Sequence, residues 1–254
     1  MDERRVCVVS GSSSGIGAAT VRRFAREGWN VVVNYSRQQA PADAVAEQCR
    51  ALGAAALVVQ ADVSDDAQCR ALAEQTVAHF GRADVLVNNA GATKFVPLKN
   101  LEGLQAEDFH RIYAVNVVGA YQLSRAFAPH LKAQKGAGIV NISSVASMLG
   151  RGSSIAYMAS KGALNAMTVG LARALAPHIR VNAIAPGLVE TPWLKEGLGE
   201  RFGKYRAEWV DRAALEDTLQ PEDVADAAWW LGAGALKTTG EVLLLDAGFR
   251  LTKA

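Results

Sequence analysis

Apolar and polar positions alternate in blocks along this chain, and the blocks change period in a regular way. Val6–Val9 is a short continuous apolar run, followed by a helix-period segment from Ala18 to Glu27. The same pair of signals recurs. The β-branched run Val31–Tyr35 precedes a helix over Ala42–Leu52, and strand Ala56–Ala61 precedes a helix over Asp65–Phe80 with Ser64 as its N-cap. Val85–Val87, Gly138–Ser143, Arg180–Ala185 and Val242–Leu245 read as further strands. Between them lie long helices at about Ala106–Ala133 and Ser154–Ala176, and a last helix over Pro221–Gly232. Strands this uniformly apolar are covered on both faces, so the pattern predicts one α/β domain: a doubly wound, Rossmann-type parallel sheet of about seven strands with helices on both faces. One region breaks the rhythm. Trp193–Thr218 is rich in charge and glycine but carries Trp193, Phe202, Tyr205 and Trp209, which suits either an apolar lid or a solvated helical hairpin.

Two clusters carry candidate chemistry. Tyr157 and Lys161 stand four apart in a helical segment, thirteen residues after Ser144, so both project from one face. A phenol titrates near about 10, and a unit charge ~4 Å away at an effective dielectric of ~20 is worth about 4 kcal/mol. The spacing therefore predicts a phenol drawn toward neutrality by the ammonium, suited to general acid work. The second cluster is Ser10-Gly11-Ser12-Ser13-Ser14-Gly15-Ile16-Gly17, between the first strand and first helix. Glycines there let backbone N–H groups approach a pyrophosphate at a helix N-terminus.

These motifs, with Asn88-Asn89-Ala90-Gly91, Asn116 and Pro186-Gly187, occur in an order and spacing that resembles the short-chain dehydrogenase/reductase family, from Arg4 to about Gly248. The branch it looks most like holds the 3-oxoacyl-acyl-carrier-protein reductases. Ser10 stands where Thr is usual, Asp246-Ala247-Gly248 where Asp-Gly-Gly is common, and Lys99–Leu104 looks longer than the family norm, a feature expected to reshape the substrate entrance. The resemblance implies hydride transfer between a nicotinamide and a carbonyl or secondary alcohol. It implies catalytic roles for Tyr157 (proton donor), Ser144 (orienting the substrate oxygen), Lys161 (tuning the phenol and binding ribose) and Asn116 (holding a relay water). Gly11, Ser13, Ser14, Gly15, Ile16 and Gly17 would surround the pyrophosphate, Asp62 and Val63 the adenine, and Asn89, Ala90 and Gly91 its ribose. Asn88 would brace strands. Pro186, Gly187, Val189 and Thr191 would lie along the nicotinamide, with Thr191 equally suited to capping the next helix. It also implies a substrate flap at about 193–218 and a homotetramer in which the two long helices pair across one two-fold axis. Ala227–Leu231 fits a partner interface or the subunit's own core.

Cofactor choice is read from the end of the second strand. Asn34-Tyr35-Ser36-Arg37 holds no acid to bind a ribose 2′-hydroxyl, while Ser36 and Arg37 suit a 2′-phosphate, so NADPH is expected and NADH is possible. The substrate stays open among a thioester on acyl carrier protein or CoA, a sugar and a small ketone; Lys132, Lys135, Arg151 and Arg173 are candidates for a basic surface at the mouth. A non-catalytic dinucleotide-binding protein is the remaining class, and the presence of both Tyr157 and Lys161 argues against it.

Composition narrows the remaining classes. With 254 residues, half of them hydrophobic, the chain buries one sizeable core. Its 27 basic and 25 acidic residues are mixed, so no nucleic-acid partner is expected. No apolar leader follows Met1-Asp2-Glu3-Arg4-Arg5 and no stretch is long enough to span a bilayer, so the expectation is cytoplasmic and not membrane-bound. Cys7, Cys49 and Cys69 read as reduced thiols, and His79, His110, His130 and His178 lack ligand spacing, so no metal is expected.

Overall fold

The computed structural model describes residues 4–251, so the N-terminal Met1–Glu3 lies outside the described residues. Seven strands form one parallel sheet in the order β3-β2-β1-β4-β5-β6-β7. They are β1 (Val6–Val9), β2 (Asn30–Tyr35), β3 (Ala56–Gln60), β4 (Val85–Asn88), β5 (Gly138–Ile142), β6 (Arg180–Pro186) and β7 (Val242–Leu245). On one face pack α1 (Gly15–Arg26), α2 (Gln39–Ala51) and α10 (Pro221–Trp229); on the other lie α3 (Asp66–Phe80), α5 (Ala120–Lys132) and α7 (Ile155–Leu175). Alternation within β1 shows why all four of its residues are apolar. Cys7 and Val9 join the α1/α2/α10 core, whereas Val6 and Val8 join the core on the other face.

The sequence-based boundaries hold with three corrections. Asp65, not Ser64, caps α3: its carboxylate accepts from Ala67 N at 2.8 Å and Gln68 N at 3.2 Å, while the Ser64 hydroxyl is spent on Asp62. The helix expected over 106–133 is α4 (Ala106–Tyr113), a π-helical turn at Ala114–Gly119, then α5. The last helix is α10 followed by a second π-helical turn, Trp230–Gly234.

Ala227–Leu231 mostly serves this subunit's own core. Trp229 meets Phe24 and Trp29 edge-on at 5.0 and 5.5 Å between ring centroids, and Ala228 and Leu231 are buried; Trp230 alone of the five is exposed. Cys7, Cys49 and Cys69 are free and buried in β1, α2 and α3. No helix among the described residues is long and apolar enough to cross a membrane.

Strand order reverses between β1 and β4, and the chain leaves both strands at the same edge of the sheet. Parallel α/β sheets open their ligand crevice at that point, because adjacent connections diverge to opposite faces.

Candidate active site

A cleft of about 810 Å³ runs along this edge. Its lining gathers nearly all the residues singled out from the sequence. Gly11, Ser13, Ser14, Gly15 and Ile16 come from the β1–α1 turn, Ser36 and Arg37 from the end of β2, and Asp62 and Val63 from beyond β3. Asn89, Ala90 and Gly91 follow β4, Ser144 follows β5, Tyr157 and Lys161 come from α7, and Pro186, Gly187, Val189 and Thr191 follow from the end of β6. Gly17 and Asn116 do not line it.

Both exceptions are supports beneath the surface. A Cβ on Gly17 would sit 2.5 Å from the Asn89 amide nitrogen and 2.6 Å from Gly11 O, so glycine is needed to let α1 start against the loop. Asn116 is buried in the π-helical turn. Its Oδ1 accepts from Ala92 N at 2.7 Å, and its Nδ2 donates to Ala92 O at 3.0 Å and Ser160 Oγ at 2.9 Å. These bonds fix the strand-end loop and the middle of α7 relative to each other. Both amide hydrogens are spent, so a relay water would bond this side chain only by donating to the second lone pair of Oδ1.

The glycine loop is fastened on two sides. Ser10 Oγ accepts from Asn89 N at 3.0 Å and Ala90 N at 3.1 Å, and Asn89 Nδ2 donates to Ser10 O and Gly11 O, each at 2.9 Å. On the other side Asn34 Oδ1 accepts from Gly11 N at 2.9 Å. Gly11 takes φ +60°, and an added Cβ would lie 3.0 Å from Ala90 Cα. A glycine-rich turn with backbone N–H groups at the N-terminus of α1 suits the diphosphate of a dinucleotide, and Ser13, Ser14 and Ile16 line the cleft with it. Arg37 is exposed at the far end, with no ion-pair partner among the described residues. Asn88 faces inward, donating to Asn141 Oδ1 at 2.8 Å and Ser124 Oγ at 3.1 Å, a brace between β4, β5 and α5.

Tyr157, Ser144 and Lys161 meet halfway along the cleft. Ser154 caps α7 by accepting from Tyr157 N at 3.3 Å, which sets the phase that turns both Tyr157 and Lys161 toward β5. The Ser144 side chain acts on the Tyr157 phenol, drawing it down against the upward push of burial. Lys161 is buried; its Nζ donates to Ile142 O at 2.7 Å and stands 5.6 Å from the centroid of the Tyr157 ring.

The comparisons with known proteins agree with this arrangement. A family model described as "Enoyl-(Acyl carrier protein) reductase" matches residues 11–250. The chain is 42% identical over 249 residues to a protein named as ketoacyl reductase 2 of the granaticin polyketide synthase of Streptomyces violaceoruber, covering 98% of this chain and 97% of that one. It is 36% identical over 250 residues to glucose 1-dehydrogenase 2 of Bacillus subtilis, covering 97% and 95%. A solved gluconate 5-dehydrogenase of Burkholderia cenocepacia, in complex with NADP and tartrate, superposes with a TM-score of 0.88 at 31% identity, covering 100% of this chain and 97% of that one. The chain belongs to the short-chain dehydrogenase/reductase family. It is therefore an oxidoreductase with a nicotinamide site.

Two sequence readings change within this short-chain dehydrogenase/reductase frame, and one is resolved. The phenol is not drawn toward neutrality: burial pushes Tyr157 up to about 12, with Ser144 pulling the other way. Helical spacing places the two side chains on one face, but the ammonium lies over the ring and is engaged by Ile142 O. Lys99–Leu104 forms a short 3-10 turn at Leu101–Gly103, and none of its residues lines the cleft. Thr191 does cap, accepting from Leu194 N at 3.3 Å at the start of α8 (Pro192–Leu198), while also lining the cleft.

The substrate end also contains Phe95, which no motif singled out, and Arg151, one of the four basic candidates for the mouth; Lys132, Lys135 and Arg173 do not line the cleft. Phe95, Leu188 and Arg151 line it beside Trp193, Tyr205 and Trp209 from α8 and α9 (Phe202–Arg212). Phe95 and Trp193 stand 5.6 Å apart by ring centroids, and Trp193 reaches to 6.2 Å from Tyr157. The α8–α9 segment is anchored at its base by Glu190, which accepts from Arg206 and Thr218 and pairs with Lys195 at 3.6 Å. An aromatic followed by polar loop residues was the available signal, and it does not specify direction.

Burial lowers Lys161 to about 8, a cost of roughly 3 kcal/mol at about 1.4 kcal/mol per tenfold change in protonation. Between about 8 and the unfolded value near 10.4 the unfolded chain holds more protons than the folded one, so this group makes stability rise with pH across that window. In cofactor-free protein, Lys161→Met should melt no lower than wild type at pH 7 and lack that rise between pH 8 and 10. Thermal melts across pH check both; a variant several degrees less stable at pH 7 would show that the bond to Ile142 O outweighs the burial cost.

Proposed function

We propose that this enzyme uses NADPH to reduce a carbonyl on a small substrate, in the first instance a 3-oxoacyl thioester on acyl carrier protein or CoA, and runs the reverse oxidation when the alcohol is supplied. The observation that carries the reading is the Ser144–Tyr157 pair facing a cleft whose other end is the glycine-rich turn at the start of α1. When bound, the nicotinamide supplies or accepts the hydride. Tyr157 donates the proton to the carbonyl oxygen, and Ser144 orients and polarises that oxygen. Lys161 places a buried positive charge beside the phenol and lowers the cost of the phenolate formed after donation. Asn116 keeps the Ala92 loop and α7 in register for this arrangement.

The dinucleotide's diphosphate would take Gly11–Ile16, its adenine Asp62 and Val63, and its nicotinamide the Pro186–Thr191 stretch. Arg37 and Ser36 would take the 2′-phosphate. The segment at about 193–218 acts as a flap, bringing Trp193, Tyr205 and Trp209 over the substrate. A cytoplasmic location suits an enzyme drawing on a nicotinamide pool and carrying three free thiols. A sugar or secondary-alcohol dehydrogenase is the second reading, supported by the likeness to proteins named glucose 1-dehydrogenase and gluconate 5-dehydrogenase.

Tyr157→Phe should reduce turnover by about 10²–10⁴-fold with little change in NADPH affinity. Steady-state kinetics on a panel of 3-oxoacyl thioesters, ketones and sugars, with NADPH titration by fluorescence, decide this; turnover within a few-fold of wild type refutes the assignment. A charge-assisted hydrogen bond is worth about 1.5–3 kcal/mol, so Arg37→Ala should weaken NADPH binding by roughly 10- to 150-fold while NADH binding barely moves. Equal losses with both cofactors would contradict NADPH preference. A homotetramer is the proposed assembly, since Val118, Tyr121 and Val169 leave apolar surface on the long helices. Light scattering at micromolar concentration should give four times the chain mass, and a monomer would refute it.

A further inference from the structure

The substrate end of the cleft offers donors and positive charge without a balancing carboxylate. Five charged residues line the cleft, Arg37, Asp62, Arg111, Arg151 and Lys161, and the sole acid among them sits after β3 at the far end with Asp62 bonded to Ser64. Arg151 is half-buried and has no ion-pair partner among the described residues. Its guanidinium instead lies 5.4 Å from the centroid of Phe249, which stacks on Trp209 at 3.8 Å. A ring face holds an arginine in place but leaves its charge and its forked donors available.

A second observation points the same way. Trp209 is buried, it lines the cleft, and its indole Nε1 has no hydrogen-bond partner. The indole nitrogen can only donate, a buried donor without an acceptor is costly, and a small opening of this wall would let a ligand acceptor relieve it. Tyr205, in the same wall, feels the Arg151 charge, which opposes the upward push of burial on its phenol. Glu208 also acts on Tyr205, but it is exposed and does not line the cleft.

We propose that Arg151 forms a subsite for an anionic oxygen group on the substrate, so that the enzyme prefers carbonyl compounds carrying a carboxylate or a phosphate. This rests on the carbonyl-reductase reading given above. The oxoanion belongs either to a small oxo acid or to the phosphopantetheine arm of a carrier-bound thioester; both present the same chemistry to a guanidinium fork.

Two substrate pairs separate these sources: 4-oxopentanoate against its methyl ester, and a 3-oxobutyryl thioester of CoA against that of N-acetylcysteamine, all with NADPH. Wild type should favour the anionic member of at least one pair by about 10-fold or more in kcat/KM. Arg151→Gln should bring that ratio close to one, and Arg151→Lys should restore part of it. A preference in the first pair identifies a carboxylate, and one in the second pair alone identifies the carrier phosphate. Binding is read independently by tryptophan fluorescence of the NADPH-bound protein, titrated with pentanoate or 4-phosphopantetheine against uncharged pentanamide. Ratios near one in wild type, or a ratio that Arg151→Gln leaves unchanged, overturn the subsite while leaving carbonyl reduction intact. Absence of all turnover overturns the carbonyl-reductase reading, and the titration then decides the subsite: an anion-selective response lost in Arg151→Gln supports it, and no selectivity refutes it.

Discussion

The cleft depends on one junction, where the ends of β1 and β4 are tied together by the Ser10 hydroxyl and the Asn89 amide. A loop built on Gly11, Gly15 and Gly17 has little of its own to hold it in place, because backbone without a Cβ is the most mobile kind of chain. Here four hydrogen bonds from Ser10 and Asn89, with Asn34 on the opposite side, hold it against strands that are themselves buried. Gly17 completes the junction by leaving room for Asn89. The loop then gains its conformation from the sheet, and the cleft gains a wall of backbone donors at the start of a helix.

Stability and chemistry pull against each other at the middle of the cleft. Burial raises Tyr157 and lowers Lys161, so both side chains are held toward their neutral forms. That is costly for folding and useful for proton transfer, since a buried pair responds strongly to any new charge or dipole placed beside it. Asn116 and Ser154 resist the tendency of such a site to relax, one from within the π-helical turn and one from the cap of α7. A π-helical turn widens the helix locally, which is how Asn116 reaches both Ala92 and Ser160.

Much of this was legible in the sequence, for physical reasons. Val6–Val9 and Val31–Tyr35 read as strands because residues enclosed on both faces are mostly apolar, Asn34 being the exception that bonds the glycine loop. The cleft residues followed from motifs that need a fixed chain direction at the sheet edge. Ser64 and Asp65 were not separable, since both residue types cap helices and only the backbone path chooses between them. The π-helical turns were invisible because one extra residue in a turn hardly alters the apolar period. Spacing put Tyr157 and Lys161 on one face, but the ammonium's final partner, Ile142 O, belongs to a different strand. Arg151 was legible only as one of four basic candidates for the mouth, because nothing local says that Phe249, almost a hundred residues later, packs beside it.

The central claim is that this edge of the sheet holds a reduced nicotinamide against a carbonyl beside Tyr157. Mass spectrometry of the product formed with NADPH deuterated at the nicotinamide C4 tests it most directly. The account predicts one deuterium on the carbinol carbon for each cofactor oxidised, whether the solvent is H₂O or D₂O. Product without that label when the transferred position is deuterated, or with a carbinol C–D bond drawn from D₂O, would contradict it.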